Sequence, residues 1–332
     1  MLATWIIYCL TLGVLISAVA YLVESIVRLY GGQTRRVWAV AMIASALIPA
    51  FAFVFGGGPS DGLGGGATAT LFPGVWFFRA VEPVQETVDG LLGMIWIGFS
   101  ALVALSFVAS AVRVRLASQR WGATEVEGVA VLVSEDVGPA VIGALRTRIV
   151  MPRWALESDA TARRLMLRHE EQHVVARDPQ LVLFASAVLS VMPWNVPLWW
   201  MSKRLRLAVE VDCDRRVLCQ DDCDVRTYGS LLVDVGRRKS GVVYTGAGFS
   251  WARSLLEHRI LQMTAPSQDK RNLRTGGLLA ASVMVLLTAS AMPTPPSMQS
   301  LASGSWWCEV SGQADMDSSA EVPAELEWLS KG

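Results

Sequence analysis

Two histidines lie four residues apart in a segment whose residue types could bind a metal ion. The segment reads His169-Glu170-Glu171-Gln172-His173. On a helix, four residues rise about 6 Å and rotate by about 40°, so both imidazoles leave the same face and can share one ion. Neutral imidazole suits Zn²⁺, which can activate a bound water for hydrolysis. The spacing therefore predicts a zinc centre with hydrolytic chemistry.

The two glutamates of this segment leave the helix in different directions. Glu170 lies roughly 60° to 100° from the histidine directions, whereas Glu171 lies roughly 160° to 200° away, so only Glu170 can face the ion. A carboxylate there can accept a proton from the water and later return it to the leaving amine, which makes Glu170 the predicted general base. The alternative is a surface helix with two incidental histidines, because short motifs also arise by chance.

The flanking residues predict where this helix begins and ends. Ser158 is the expected N-cap, because its hydroxyl can accept hydrogen bonds from the free amides of the first turn. Pro179 disfavours helical conformation at Asp178, so the helix should end by that residue. These signals predict a helix of about 18 residues with the histidine pair in its middle.

A second acidic segment downstream repeats the four-residue spacing. Glu210 and Asp214 share one helix face, and Asp212 points nearly opposite. Glu210 is the candidate third ligand, and Asp214 is the candidate acceptor for the outer N–H of a ligating histidine. The alternative is an exposed acidic helix that pairs with Arg215 and Arg216. The histidine pair upstream favours the metal-binding alternative.

These residues resemble the BlaR/MecR antirepressor type of integral-membrane zinc metallopeptidases, which are relatives of the gluzincins. The similarity covers roughly residues 1 to 292 and rests on three groups of residues. They are His169 to His173 followed by Arg177-Asp178, then Glu210 with Cys213-Asp214, and upstream Val133-Ser134 through Pro139 and Gly143 to Ile149-Val150-Met151-Pro152.

The resemblance implies one zinc ion with three protein ligands, namely His169, His173 and Glu210. It implies further that Glu170 is catalytic and that Asp214 supports a ligand from outside the coordination sphere. Asp178 resembles the acidic residue that follows this family's metal helix, and we expect it to support the helix end. The corresponding activity is that of a zinc metalloendopeptidase.

The same resemblance implies a regulatory substrate in signal transduction. We expect a small cytoplasmic transcriptional repressor of the BlaI/MecI type, and self-cleavage is left open. The penicillin-binding sensor domain of this family is expected to be absent, because only 40 residues follow residue 292. Two alternatives stay open: a membrane quality-control protease of the Ste24/HtpX kind, and a non-catalytic membrane receptor or scaffold with a vestigial zinc site.

Composition predicts a chain that partitions into a lipid bilayer. Hydrophobic residues make up 52% and charged residues 17%, and the mean hydropathy is +0.40, which is apolar for a soluble domain. Uncharged apolar stretches at 2–23, 37–55, 90–112 and 276–292 each approach the length needed to cross about 30 Å of hydrocarbon. We therefore expect an α-helical multipass protein of a bacterial cytoplasmic membrane.

Arginine placement predicts the orientation of these spans. Arginines follow the first and third stretches, and such residues mark the cytoplasmic side: Arg28, Arg35, Arg36, Arg113, Arg115 and Arg120. The predicted organisation is three N-terminal spans in 1–112, an inserted cytoplasmic α+β gluzincin metallopeptidase domain in 113–275, a last span in 276–292 and an external tail in 293–332.

One more apolar segment, 181–201, separates His173 from Glu210. A single membrane crossing there would place Glu210 on the opposite side from the histidines. Pro193 and Pro197 interrupt the segment near its centre. We therefore predict a re-entrant hairpin of two short helical limbs, with interfacial helices as the alternative.

Segments 126–133 and 147–151 are rich in β-branched residues and predict a short sheet. An open edge of that sheet could hold an extended peptide by strand addition. The alternative is that the strands only pack on the helix.

The remaining features exclude some functions. The chain carries 29 basic and 29 acidic residues without a concentrated basic groove, which excludes direct nucleic-acid binding. Cys213, Cys219 and Cys223 cluster, but their spacing fits no common zinc pattern, so free thiols are expected. A homodimer is left open.

Overall fold

The computed structural model describes residues 2–55, 85–135, 137–220, 224–239, 246–264 and 271–290. The helices are α1 (Leu2–Leu29), α2 (Thr34–Phe55), α3 (Gln85–Ser118), α4 (Arg153–Leu156), α5 (Ala160–Val175), α6 (Asp178–Val191), α7 (Val196–Leu218), α8 (Val225–Lys239), α9 (Gly246–Thr264) and α10 (Arg271–Ser290). The strands are β1 (Gly122–Val126), β2 (Val129–Ser134), β3 (Ala140–Ile142) and β4 (Arg148–Pro152).

Three of the described helices, α1, α2 and α3, are long and apolar enough to cross a membrane. They coincide with the first three predicted stretches and extend beyond them. Large apolar side chains on α3 point away from the protein, among them Ile97 at 71% and Leu102 at 64% exposure. Exposed apolar surface on this scale is typical of a contact with lipid or another protein.

The fourth predicted span, 276–292, overlaps α10, which runs from Arg271 to Ser290, and it stays a prediction. Helix α10 packs against α1, and among the residues that the structure describes it carries the apolar stretch Thr275–Val285. Residues 291 and 292 lie outside the described part of the chain, as does the predicted tail, 293–332.

The predicted sheet is present, with one correction to its strands. Segment 126–133 is not a single strand, because Glu127 and Gly128 form a turn with φ of 51° and 84° that joins β1 to β2. Positive φ at both central residues suits the twist of a two-residue hairpin. The strand order is β1-β2-β4-β3, with β2 and β4 parallel and the other two pairs antiparallel.

The sheet packs directly on α5, the helix that carries the histidine pair. Val131, Ile149 and Met151 of the strands share a buried core with Met166 and Leu167 of α5. Burying these side chains removes apolar surface from water and holds the helix against the sheet. The strand order places β3 at one edge of this sheet among the described residues.

Helix α5 begins one residue later than predicted from Ser158 as its N-cap. Asp159, not Ser158, is the N-cap, and its carboxylate accepts hydrogen bonds from the backbone N–H groups of Thr161 at 3.0 Å and Ala162 at 3.4 Å. A carboxylate at this end of a helix also interacts favourably with the helix dipole. The Ser158 hydroxyl instead donates backwards to the carbonyl of Ala155.

The predicted end of α5 before Pro179 is confirmed, and the break is sharp. Arg177 adopts the left-handed conformation with φ of 57°, and α6 begins at Asp178 with Pro179 in its first turn. Helices α5 and α6 bend by 57° relative to each other. The carboxylate of Asp178 is thereby placed at the junction of the two helices.

The segment between His173 and Glu210 doubles back. Helix α6 ends at Val191, and α7 starts at Val196 and continues to Leu218. The first limb has 14 residues, which corresponds to about 21 Å. The second limb runs without interruption beyond the predicted hairpin and carries Glu210 back to α5.

Several polar groups at the tip of this hairpin are bonded inside the protein, although the buried indole N–H of Trp194 has no hydrogen-bond partner among the described residues. The indole N–H of Trp96 donates to the carbonyl of Val191 at 2.8 Å, and Trp199 donates to the carbonyl of Pro193 at 2.7 Å. Fully buried Asn195 accepts from the backbone N–H of Leu198 at 3.4 Å. The bond from Trp96 joins this tip to α3.

Helix α7 is tied to α1 by a buried ion pair. Arg204 donates to Glu24, which is 3% exposed, and its guanidinium carbon lies 5.6 Å from the ring centroids of both Tyr21 and Trp38. Aromatic faces stabilise a cation that has lost its water. These contacts hold α7 against the N-terminal helices.

Candidate metal centre

The imidazoles of His169 and His173 converge on one point. Their Nε2 atoms lie 3.2 Å apart, and the two rings are perpendicular. Two nitrogen ligands of one tetrahedral zinc ion lie about 3.3 Å apart. The pair therefore has the separation that a shared ion needs.

The carboxylate of Glu210 approaches the same two nitrogen atoms. Its oxygens lie 3.6 Å from Nε2 of His169 and 3.8 Å from Nε2 of His173. The structure thus brings together the three predicted ligands, although 37 positions separate Glu210 from His173 along the chain. Two imidazoles and a carboxylate form a donor set used by catalytic zinc sites.

Cys213 offers a second way to complete a metal site. Donor atoms of His169, His173 and Cys213 all lie within 4.8 Å of one another. The Cys213 Sγ atom, however, lies 3.4 Å from Nδ1 of His169, on the opposite edge of the ring from Nε2. Because both Nε2 atoms face Glu210, the geometry favours Glu210 over Cys213 as the third donor.

The outer nitrogen of His173 is held by Asp178. Nδ1 of His173 lies 2.8 Å from Oδ2 of Asp178, which is 2% exposed. Burial of the imidazole lowers its pKa, but the bonds to Asp178 and Cys213 and the charge of Glu210 outweigh burial, so without a metal the pKa of His173 is raised. A proton held on Nδ1 leaves Nε2 as the metal-facing atom and orients the ring.

The outer nitrogen of His169 reaches Asp214 through a hydroxyl group. Nδ1 of His169 lies 2.9 Å from the Tyr228 hydroxyl, which donates to Asp214 at 2.8 Å. The direct distance from Nδ1 to Asp214 is 3.6 Å, too long for a hydrogen bond. Burial, together with the Asp214 carboxylate, raises the pKa of Tyr228, so its hydroxyl keeps the proton that it donates.

Arg259 of α9 joins the two carboxylates on α7. Its guanidinium makes two bonds to Asp214, at 2.8 and 2.6 Å, and one to Glu210 at 2.9 Å. Burial opposes ionisation of Glu210, but the charge of Arg259 outweighs burial and lowers the pKa of the Glu210 carboxyl. Glu210 is therefore held as a carboxylate, the form that binds a metal.

The alternative of an exposed acidic helix does not describe this segment. Arg215 donates to the carbonyl of Gly32 at 3.0 Å, and Arg216 donates to Asp178 at 3.3 Å, so neither pairs with Glu210. Asp214 is 1% exposed. The acidic residues on this face of α7 are directed into the protein.

Glu170 lines the same cavity as the three candidate ligands. The cavity has a volume of about 530 Å³ and is bordered by β3, α5, α6, α7 and α8. Glu170 is 5% exposed and lines it, whereas Glu171, among the described residues, is not part of the lining. This difference matches the directions expected from the helical geometry.

Tyr228→Phe is expected to weaken zinc binding about tenfold, because supporting residues of metal ligands commonly contribute that much. The change removes only the hydroxyl that links His169 to Asp214. Competition with a chromophoric chelator measures the affinity. Tyr30→Phe is the control, because Tyr30 is 54% exposed and is not part of the cavity lining. Equal affinities for the two variants would contradict the link.

Three residues of this site were not predicted from the sequence: Tyr228, Arg259 and Arg35. Arg35 bonds to Asp178, but in the sequence it served only to predict the orientation of the membrane spans. Arg259 and its neighbour His258 both lie outside the motif, and no sequence pattern pointed to Arg259. A single tyrosine or arginine on a distant helix has no spacing relation to the motif, so only the tertiary contacts reveal it.

Comparison with known proteins identifies the family of this chain. The family model described as BlaR1 peptidase M56 matches residues 79–263, which is more than half of the chain. The chain is 24% identical over 172 residues to the regulatory protein BlaR1 of Bacillus licheniformis. That match spans 49% of this chain and 27% of the relative. The chain belongs to the BlaR1 peptidase M56 family, a family of membrane-associated metallopeptidases.

Proposed function

We propose that this protein is a membrane-embedded zinc endopeptidase with a cytoplasm-facing active site. Its substrate is a regulatory protein, such as a transcriptional repressor, in a signalling response. The observation that carries this proposal is the convergence of His169, His173 and Glu210 beside Glu170 in one cavity. A regulatory substrate is supported by the similarity to the protein named regulatory protein BlaR1.

Each side chain of the site has a role in this proposal. A bound zinc ion would polarise the scissile carbonyl and lower the pKa of a water molecule. His169, His173 and Glu210 would hold the ion, and Tyr228 and Asp178 orient the two rings. Glu170 accepts a proton from the water and delivers it to the amine that leaves. An acidic residue at position 170 is not needed by a purely structural zinc site.

The edge strand β3 is the proposed docking site for the substrate backbone. Pro139, Ala140, Val141 and Gly143 line the cavity opposite α5. Strand β3 pairs with β4 on one side only among the described residues. An extended peptide could add to the open side and present its carbonyl group to the site.

The cavity also has an apolar wall on α6 and α3. Val182 and Leu183 of α6 and Phe107 of α3 form this wall. It would accept an apolar side chain next to the cleaved bond, which burial from water would stabilise. A peptide with a hydrophobic residue at that position is the expected preferred substrate.

Comparison of protein termini in cells tests the proposed function. Cells that carry the native chain should show a few new termini in a regulatory protein, and cells that carry Glu170→Gln should not. A broad set of unrelated membrane-protein fragments in native cells would instead support the quality-control alternative. Identical termini in both strains would contradict a proteolytic function.

Cysteine labelling tests the proposed orientation and the re-entrant hairpin. Thr161 precedes the hairpin and Arg206 follows its tip, and both side chains are exposed. Thr161→Cys and Arg206→Cys, in a chain without other exposed cysteines, should react with an impermeant maleimide only in inverted vesicles. Reaction of the two positions from opposite sides would show that the segment between them crosses the membrane once.

A further inference from the structure

The first turn of α2 is bonded to the face of α7 that points away from the cavity. Asp212 accepts hydrogen bonds from the backbone N–H groups of Thr34 at 3.2 Å and Arg35 at 3.0 Å, and from the Thr34 hydroxyl at 3.2 Å. Asp212 is 4% exposed. A carboxylate at a helix N-terminus satisfies free amides and complements the helix dipole. The start of α2 is therefore held on the helix that carries Glu210.

From this anchored position, Arg35 reaches the junction of α5 and α6. Its Nη1 donates to Oδ1 of Asp178 and to the carbonyl of Ala176 at 3.3 Å, and its Nη2 donates to Gln33. Arg35 is 8% exposed. The Arg35 guanidinium thus bonds both to Ala176, the residue that follows α5, and to Asp178, the first residue of α6.

The two carboxylate oxygens of Asp178 bond to different side chains. Oδ1 accepts from Arg35, and Oδ2 lies 2.8 Å from Nδ1 of His173. Arg216 approaches Oδ2 at the longer distance of 3.3 Å. Because Arg35 holds the other oxygen, it sets the rotation of the carboxylate that orients the His173 ring.

We propose that Arg35 is a positioning residue for the metal centre, acting through Asp178 on His173. This inference rests on the proposed function, since it takes His173 to be a zinc ligand. It makes α2, a candidate membrane span, part of the support of the site. A displacement of α2 relative to α5 would therefore alter the orientation of His173.

Zinc affinity of the purified full chain, measured by competition with a chelator, tests this role. Arg35→Ala should weaken zinc binding about tenfold, the scale of changes around metal ligands. Arg36→Ala is the matched control, because Arg36 is the adjacent residue and is exposed. Both changes remove one positive charge from the same end of α2, so their effects on membrane orientation should be alike.

A conservative variant separates positioning from simple loss of folding. Arg35→Lys retains a charge that can reach Asp178, and it should recover part of the lost affinity. The absorption spectrum of bound Co²⁺ should change in Arg35→Ala and remain native in Arg36→Ala, because it reports the geometry of the ligands. Equal zinc affinities and equal Co²⁺ spectra for Arg35→Ala and Arg36→Ala would overturn the inference.

A double-mutant cycle tests whether Asp178 is the intermediary. Adding Arg35→Ala to Asp178→Asn should cause less than about a twofold further loss of zinc affinity, because the two changes interrupt one path. If Arg35→Ala lowered zinc affinity as much in the Asp178→Asn chain as in the native chain, the inference would be overturned. A native chain that does not bind zinc would instead contradict the proposed function, so the two failures are distinguishable.

Discussion

Glu170→Gln should lower the rate of peptide hydrolysis by about 100-fold to 10,000-fold while zinc remains bound. The amide has nearly the same shape as the carboxylate but cannot accept a proton from water. Glu170 is not among the three candidate ligands, so the metal content should not change. Purified protein, a peptide with a hydrophobic residue at the cleaved bond, and metal analysis give both quantities.

The neighbouring glutamate supplies the control for this experiment. Glu171→Gln makes the same chemical change one residue later on the same helix, at a side chain outside the cavity lining. It should retain activity close to that of the native chain. Undiminished hydrolysis by Glu170→Gln would contradict its role as general base, and an equal loss in both variants would point to damage to the helix.

Glu210→Ala should reduce zinc affinity by more than the tenfold to 100-fold typical of supporting residues. It removes a negatively charged donor that lies 3.6 and 3.8 Å from the two imidazole nitrogens. It also leaves Arg259 facing the metal position with only Asp214 as its partner. Hydrolysis should be lost along with the ion. Zinc content after dialysis and chelator competition measure the effect.

Cys213→Ala is the comparison that decides between the two donor sets. If Glu210 is the third ligand, this variant should keep zinc with at most a modest loss of affinity, because Cys213 lies against the outer edge of His169. If Cys213 were the third ligand, Cys213→Ala would lose more zinc affinity than Glu210→Ala. Co²⁺ spectra provide a second measure, because thiolate ligands add strong near-ultraviolet absorption bands.

Local sequence patterns were sufficient for several parts of this fold. The four-residue spacing of His169 and His173 places both rings on one face of any helix, whatever surrounds it. The same argument predicted the opposite directions of Asp212 and Asp214 on α7. Long apolar stretches predicted α1, α2 and α3, because the length of a span follows from the thickness of the bilayer.

Local patterns were less reliable where several residues compete for one role. Ser158 and Asp159 are both good caps, and the choice depended on which of them reaches the free amides. The turn at Glu127 was missed because glutamate rarely adopts positive φ.

Sequence alone therefore determined the kind of chemistry, since it depends on residue types and on spacings within a single helix. The tertiary structure decided which distant groups support that chemistry. Tyr228, Arg259 and Arg35 approach the site from three different helices, Tyr228 by a direct bond to His169 and the two arginines by bonds to Asp214 and Asp178. Their arrangement depends on the packing of those helices and on the doubling back of α6 and α7. No periodicity in the chain encodes such contacts, because each is a single meeting between residues far apart in sequence.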